Sequence, residues 1–314
     1  MNRMVTVIIP TYKGSSALNR AIDSVLCQSY KEIEIIVVDD NDPTNDERKN
    51  TEALMSHYIG DERIRYIKHQ KNSNGAVARN TGITAATGRY IAFLDDDDYY
   101  LPNRIEKSVR YLEKNRDAVG VYAGVDIIDK EGNINLKVRP QCDLKISDLL
   151  QKEMVIGTGS NIFVKSDVVK GIHGFDESFV RRQDIEFMIR VCHEGRVGYI
   201  PDKLIVKSEN GTLNHPKYAK MKSVIDQFGQ KFKNDIDALG EEKSKYYAMQ
   251  YRTLFGIALY EHNKDEINEA THLIKKYDTL SFKEKLLRIV YIYNLRDSKL
   301  VKLIIDKSKQ RCDR

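Results

Sequence analysis

The chain of 314 residues is 41% hydrophobic and carries a formal net charge of +5. That is enough apolar material for one large α/β domain with a smaller appendage, and too much for a wholly disordered protein. No run approaches the roughly twenty apolar residues that a bilayer-spanning helix needs. Cys27, Cys142, Cys192 and Cys312 form no CxxC pair and have no His in zinc-site spacing, so no zinc site is expected. The charge is uneven: residues 281–314 hold ten Lys or Arg against four acids, a net of +6, which leaves −1 for everything before them. No nucleic-acid partner is expected from this balance.

Val5–Ile9 is β-branched and apolar, with no signal-peptide pattern before it, so a cytoplasmic chain is expected. Ala17, Leu18, Ala21, Ile22, Val25 and Leu26 repeat at helical spacing, with Ser15 or Ser16 as the expected cap. Ile33–Val38 reads as a second buried strand, Arg63–Ile67 as an edge strand, residues 74–86 as a helix and Tyr90–Leu94 as another central strand. Strand and helix alternating at this spacing imply a mostly parallel sheet with helices on both faces. Ligands of such sheets bind beyond the carboxyl ends of the strands. Here those positions hold Pro10-Thr11-Tyr12, Asp39-Asp40-Asn41 and the run Asp95-Asp96-Asp97-Asp98.

Further on, residues 103–114 read as helix, 119–128 and 160–165 as strands, 184–193 as helix, and 195–200 and 204–207 as two strands. Strand signals stop near residue 215. The expected division is a catalytic domain over 1–214, with halves 1–102 and 103–214, and a helical region over 215–314 whose end is basic. Tyr246, Met249, Leu254, Ile257, Leu259 and Tyr260, then Leu286 to Ile305, supply apolar faces there. These faces suit a bundle that packs on the chain or forms a homodimer. The basic end leaves a second reading, peripheral contact with anionic lipid at the inner face of a membrane.

Four adjacent carboxylates repel one another, by about 4 kcal/mol for a pair 4 Å apart at an effective dielectric near 20. Exposure to water or a divalent cation would relieve this, and carboxylates suit Mg2+ or Mn2+. The plainer reading is an acidic turn entering the next helix.

Four strings in order carry a family resemblance: Val5–Tyr12, Val37–Asn41, Asn74–Gly82 and Gly88–Asp98. They resemble family 2 inverting glycosyltransferases with the GT-A fold, a Rossmann-like nucleotide-diphospho-sugar transferase architecture. The likeness continues more weakly to about Asn214. It implies that Pro10, Thr11 and Tyr12 line the nucleotide pocket, with Asp40 on the uracil ring nitrogen and Asn74 and Gly75 near the base. Arg79 joins this nucleotide-sugar set. Asp95-Asp96-Asp97 resembles the DxD element, with Asp96 towards the ribose, Asp97 as principal metal ligand and Asp95 assisting. Asp98 would only cap the following helix. The family's base follows a turn like Gly174-Phe175-Asp176-Glu177, which makes Asp184 the candidate, with a helix N-cap as its plain alternative.

Two departures stand out. The family pattern Glu-Asp is Gln183-Asp184 here, preceded by Arg181 and Arg182. Those cations would lower the Asp184 pKa, or would hold an anionic acceptor or the diphosphate. The loop that often carries a His over the nucleotide has Glu209 instead, with His215 nearby. Processive relatives add a Gln-x-x-Arg-Trp element, whereas this chain has no Trp, so one sugar per encounter is expected. The resemblance thus implies metal-dependent transfer from a nucleotide-sugar, on the strength of Asp40 a UDP-sugar, to a glycan or lipid-linked oligosaccharide. The rival readings are a sugar-nucleotide nucleotidyltransferase and a degenerate binding module.

Overall fold

The computed structural model describes residues 4–152, 154–209 and 216–293. It divides into two compact units, Met1–Thr212 and Leu213–Arg314.

The first unit is built on strands β1 (Val5–Thr11), β2 (Ile33–Asp39), β3 (Ile64–Lys68), β4 (Tyr90–Phe93), β5 (Tyr99–Tyr100), β6 (Ala118–Ile128), β7 (Ile134–Val138), β8 (Phe163–Lys165) and β9 (Arg196–Ser208). Between them lie helices α1 (Ser15–Leu26), α2 (Asp46–Met55), α3 (Gly75–Ala85), α4 (Arg104–Lys114), α5 (Ile146–Gln151), α6 (Ser166–Gly171) and α7 (Gln183–Glu194). The strands form one sheet in the order β3-β2-β1-β4-β8-β6-β9-β5, with β7 paired to β6. β1 runs parallel to β2 and β4, and β2 parallel to β3. β8 then pairs antiparallel to both β4 and β6, and β6 runs parallel to β9. The first half is therefore the parallel sheet expected from strand–helix alternation, and the second half is mixed. The chain passes outward from β1 to β3 and returns to β4 on the other side of β1, which places a topological switch between β1 and β4.

β1, β2 and β4 are buried almost throughout, so they read as continuous apolar runs. Val7, Ile9, Leu18, Ile22, Ile35, Val37 and Ala92 belong to one core. α3 packs on β1 so closely that a Cβ at Gly82 would lie 2.4 Å from Ile8 Cγ2.

Several boundaries differ from the sequence reading. α1 starts at Ser15, which puts Gly14 rather than Ser15 or Ser16 at the cap position. The two strands expected over 195–207 are one strand, β9. Its pairing with β6 shifts register around Gly124, where Asp202 O lies 2.8 Å from the Cβ that glycine lacks. The bulge absorbs Pro201 and Asp202 without ending the strand. Gly159–Asn161 forms a 3-10 turn ahead of β8 instead of extending it. There Asn161 Nδ2 donates to Ala123 O and Ile156 O, and its Oδ1 accepts from Ala123 N.

The second unit contains α8 (Tyr218–Lys231), α9 (Lys233–Asp237), α10 (Lys243–Glu261), α11 (Lys264–Lys275) and α12 (Phe282–Ile292). Its core gathers Tyr218, Val224, Ile225, Leu254, Ala258, Ile267 and Ile274. Tyr260 is exposed and does not join it. Ser281 and Glu284 close a capping box at the start of α12. The apolar positions expected over 295–305 lie outside the described residues. Among the described residues, no helix is long and apolar enough to cross a membrane.

The Gly82 contact gives a test of the α3–β1 packing. Gly82→Ala gains up to about 1 kcal/mol of helix propensity but overpacks the core, which costs about 1–3 kcal/mol. Urea unfolding should show a net loss of about 1 kcal/mol.

Candidate active site

The carboxyl ends of the parallel strands meet at one edge. Pro10, Thr11, Tyr12, Asp40, Asn72, Asn74, Gly75, Ala78, Arg79, Asp95, Asp96 and Asp97 line a single cleft of about 430 Å3 there. Of the expected site residues the cleft gathers Pro10 to Tyr12, Asp40, Asn74, Gly75, Arg79 and Asp95 to Asp97, whereas Asp184 is not among those that line it. Asn72 and Ala78 are additions that the sequence reading did not name.

Asp40 is buried and heavily used. Its Oδ1 accepts from Ser73 N (2.9 Å) and pairs with His69 Nδ1 (2.8 Å), while its Oδ2 accepts from Asn72 Nδ2 (2.9 Å) and Asn74 N (3.1 Å). A carboxylate only accepts, so His69 Nδ1 carries the proton in this pair. His69 Nε2 lies 2.8 Å from Thr81 Oγ1. Asp40 thus folds the turn after β3 around itself and sets the entry to α3. Asn74 then caps α3, its Oδ1 accepting from Ala76 N and Val77 N. Asp39 does not join this group. It pairs with Arg48 Nε (3.1 Å) and accepts from the Tyr66 hydroxyl on the other side of β2.

The four aspartates of the acidic run have four different surroundings. Asp95 Oδ1 accepts from Arg79 Nη2 (2.6 Å). Burial pushes Asp96 up to about 7, with the charges of Asp97 and Asp95 adding to the rise and the Thr11 hydroxyl and Tyr12 amide opposing it. Even so, Asp96 Oδ2 and Thr11 Oγ1 are buried without a well-formed hydrogen bond. Burial also raises Asp97, and Asp95 adds to this while Lys207 and Arg20 oppose it. Asp98 does not cap the next helix, since the α4 cap position is Asn103. It is buried and accepts from Thr158 Oγ1 (2.8 Å), Ser160 Oγ (2.6 Å) and Ser208 N (3.1 Å).

Asp184 lies in the first turn of α7, whose cap position is Arg182 in the left-handed region at φ 59°. The N-cap alternative for Asp184 therefore fails. Burial raises the Asp184 pKa and Asp95 adds to the rise, whereas Arg79 opposes it. The shift runs opposite to the one expected from Arg181 and Arg182, because burial outweighs the lowering by Arg79. A raised pKa is the direction that suits a general base.

Arg79 joins the two sides. Its Nη1 donates to Gln183 Oε1 (3.1 Å), its Nη2 to Asp95, and its guanidinium lies over the Phe175 ring at 5.4 Å. Phe175 stacks on Phe187 of α7 with centroids 4.2 Å apart. Asn80 pins the turn that carries it, donating to Phe175 O (2.9 Å) and accepting from Phe175 N (2.8 Å). Gly174 makes that possible, with φ 67° and no Cβ to strike Asn80 Oδ1. Arg181, Arg182 and Glu209 do not line the cleft. Glu209 Oε2 accepts from Asn135 Nδ2 at 3.4 Å. His215 lies outside the described residues.

Among the described residues, no group of three or more His, Cys, Asp or Glu is arranged to hold a metal ion. The acidic edge would suit a divalent cation that takes further ligands from substrate phosphates, as Mg2+ does. The unpartnered Asp96 oxygen and the raised pKa of Asp97 fit such an open site.

Comparison with known proteins agrees with this geometry. Residues 6–172, over half of the chain, match glycosyl transferase family 2. The chain therefore belongs to that family. An uncharacterized glycosyltransferase of Methanocaldococcus jannaschii is 35% identical over 60% of this chain and 64% of its own length. The chain spans less than two thirds of the length of this and the other first relatives it matches. WfgD of Escherichia coli, a UDP-Glc:α-D-GlcNAc-diphosphoundecaprenol β-1,3-glucosyltransferase, is 26% identical over 79% of this chain and 92% of its own. Among solved structures, TarS of S. aureus superposes with a TM-score of 0.62 at 16% identity, covering 95% of this chain and 54% of that one. At that identity the likeness establishes the GT-A fold.

The buried acids make stability pH-dependent. Folded Asp96 and Asp98 hold protons up to about 7 and about 8, respectively, and unfolded aspartate only to about 3.9. The folded state binds more protons between these values, so stability falls as pH rises from about 4 to about 8. The melting temperature of chelator-treated protein should fall over that interval. Mn2+ with UDP should restore more of it at about pH 8 than at about pH 5, and differential scanning fluorimetry would measure both.

Proposed function

We propose that this chain transfers a single sugar from a UDP-sugar to a hydroxyl of a glycan acceptor, with inversion at the anomeric carbon and in a metal-dependent manner. The observation that carries the proposal is the Arg79 bridge, which joins the acidic run lining the cleft to the helix bearing Asp184. Leaving-group and base functions are thereby set on two sides of one small space.

In this reading the base and ribose lie along Pro10–Tyr12, Asp40, Asn72 and Asn74, with Asp96 towards the ribose. Asp40 has four partners already, so an incoming imide N–H shares an occupied oxygen, and Asn72 lies at the same edge to supply a second contact. Arg79 faces the diphosphate and offsets its charge. A divalent cation held by Asp97 and Asp95 would supply Lewis-acid stabilisation of the departing diphosphate. Asp184 takes the proton from the acceptor hydroxyl as that oxygen attacks the anomeric carbon. The new glycosidic bond forms as the bond to the β-phosphate oxygen breaks, and the diphosphate leaves as UDP.

Two similarities support the donor and acceptor classes. TarS has been crystallised with UDP-GlcNAc, and its N-terminal region matches with a TM-score of 0.57. The name of WfgD gives a UDP-glucose donor and a diphosphoundecaprenol-linked acceptor, and AmsB of Erwinia amylovora, 31% identical over 59% of this chain, is named for amylovoran biosynthesis. Polysaccharide or glycoconjugate synthesis is the process proposed here.

A thermal-shift screen of UDP-, GDP- and dTDP-sugars with Mn2+ should single out the UDP series. With the best donor, Asp97→Asn should abolish metal-dependent turnover. Asp184→Asn should bind UDP as the parent does and lose transfer by about 100- to 10,000-fold, the range for removing a general base. Parental turnover in Asp184→Asn would remove it as the base.

A further inference from the structure

Asp98 has no place in the chemistry above, yet it is among the most heavily used side chains near the cleft. Its Oδ2 accepts from two hydroxyls, Thr158 Oγ1 at 2.8 Å and Ser160 Oγ at 2.6 Å. Those two residues flank Gly159. Its Oδ1 accepts from Ser208 N at the end of β9. One buried carboxylate therefore ties the turn after β4 to a segment about sixty residues later and to another about a hundred and ten residues later. Ser160 extends the tie, because its Oγ accepts from Asp95 N (2.9 Å) while donating to Asp98.

Gly159 sits where the two halves of the site converge. A Cβ there would lie 3.6 Å from Asp95 Oδ2, 3.8 Å from Arg79 Nη2 and 3.8 Å from Asp184 Cβ. These are ordinary contact distances, so the fold would tolerate a methyl group at this position. The position is nonetheless glycine, and the atoms its missing Cβ would touch belong to Asp95, Arg79 and Asp184.

We propose that Asp98 is a positioning residue. By gripping the hydroxyls on both sides of Gly159, it fixes that glycine as the wall of the gap between Asp95 and Asp184 through which the donor sugar passes during transfer. The functional half of this rests on the transfer reading above, whereas the clamp itself does not. Asp98 acts through Thr158 and Ser160 and touches no reacting atom. Gly159 sets the width of the gap, and a side chain there narrows it for any sugar.

Two independent readouts test this. Hydrogen exchange of the full chain reports on the clamp. Asp98→Ala removes the oxygen that serves both hydroxyls, so exchange over residues 157–162 should rise while that of β1 and β2 stays unchanged. Unchanged exchange at 157–162 would overturn the clamp whether or not the protein turns over any sugar. UDP release from a UDP-sugar reports on what the clamp does. Asp98→Ala and Ser160→Ala should each keep UDP affinity within about threefold and lose about 100-fold in kcat, the scale of an ångström-sized misplacement. The double variant should lose little more than either single one, because both break the same tie. Gly159→Ala should melt within a few degrees of the parent yet lose kcat with UDP affinity retained. Losses that multiply in the double variant, or parental kcat in Gly159→Ala, would overturn the positioning role. Absence of turnover in the parent would instead count against the transfer reading and leave the exchange result to decide the clamp.

Discussion

Like-charge crowding at one strand end is the constraint around which this fold is arranged. The turn after β4 carries four successive carboxylates beside the switch point between β1 and β4, and each is given separate surroundings. Asp95 meets a guanidinium, Asp98 meets three donors, Asp96 is pressed against Thr11 and Gly14, and Asp97 faces the cleft. Asp95 pairs with Arg79 at 2.6 Å. Asp96 and Asp98 relieve part of the repulsion by holding protons up to about 7 and about 8, and a cation and a diphosphate at the cleft can answer the rest.

Arg79 follows from the same constraint. A lone cation between Asp95 and Asp184 would be drawn to whichever acid was nearer, but the neutral Gln183 amide holds one arm of the guanidinium while Asp95 holds the other. Phe175 supports its face, and the Phe175–Phe187 stack connects that support to α7. A neutral Gln at position 183 thus keeps positive charge near the cleft that an acid there would neutralise.

The parallel half of the fold was legible because β1, β2 and β4 are buried on both faces and read as apolar runs. Where those runs end the carboxyl edge begins, and with it the lining residues Pro10 to Tyr12, Asp40 and Asp95 to Asp97. The local motif at residues 74–82 marked the start of α3 for the same reason. Asp98 was misread, because the donors that occupy it lie on segments distant in sequence that carry no periodic signal. The direction of the Asp184 shift is not legible from its sequence neighbours Arg181 and Arg182, because it is set by burial, which only the packed fold shows. His69 and Asn72 passed unnoticed, although their place just after β3 is the same carboxyl-edge position that drew attention to the other strands. The register shift in β9 depends on Gly124 of a partner strand, which no reading of 195–207 alone contains.

Division of labour between the acidic run and Asp184 is the central claim, and it depends on the carboxylates needing a cation to receive a diphosphate. Calorimetric titration of UDP into the protein near neutral pH, with Mn2+ and again with chelator, tests that most directly. Binding at least tenfold tighter with Mn2+, by about 1.4 kcal/mol or more, is the predicted result. Equal affinity in chelator would contradict it, and would mean that Arg79 and the surrounding amides hold the diphosphate without any metal.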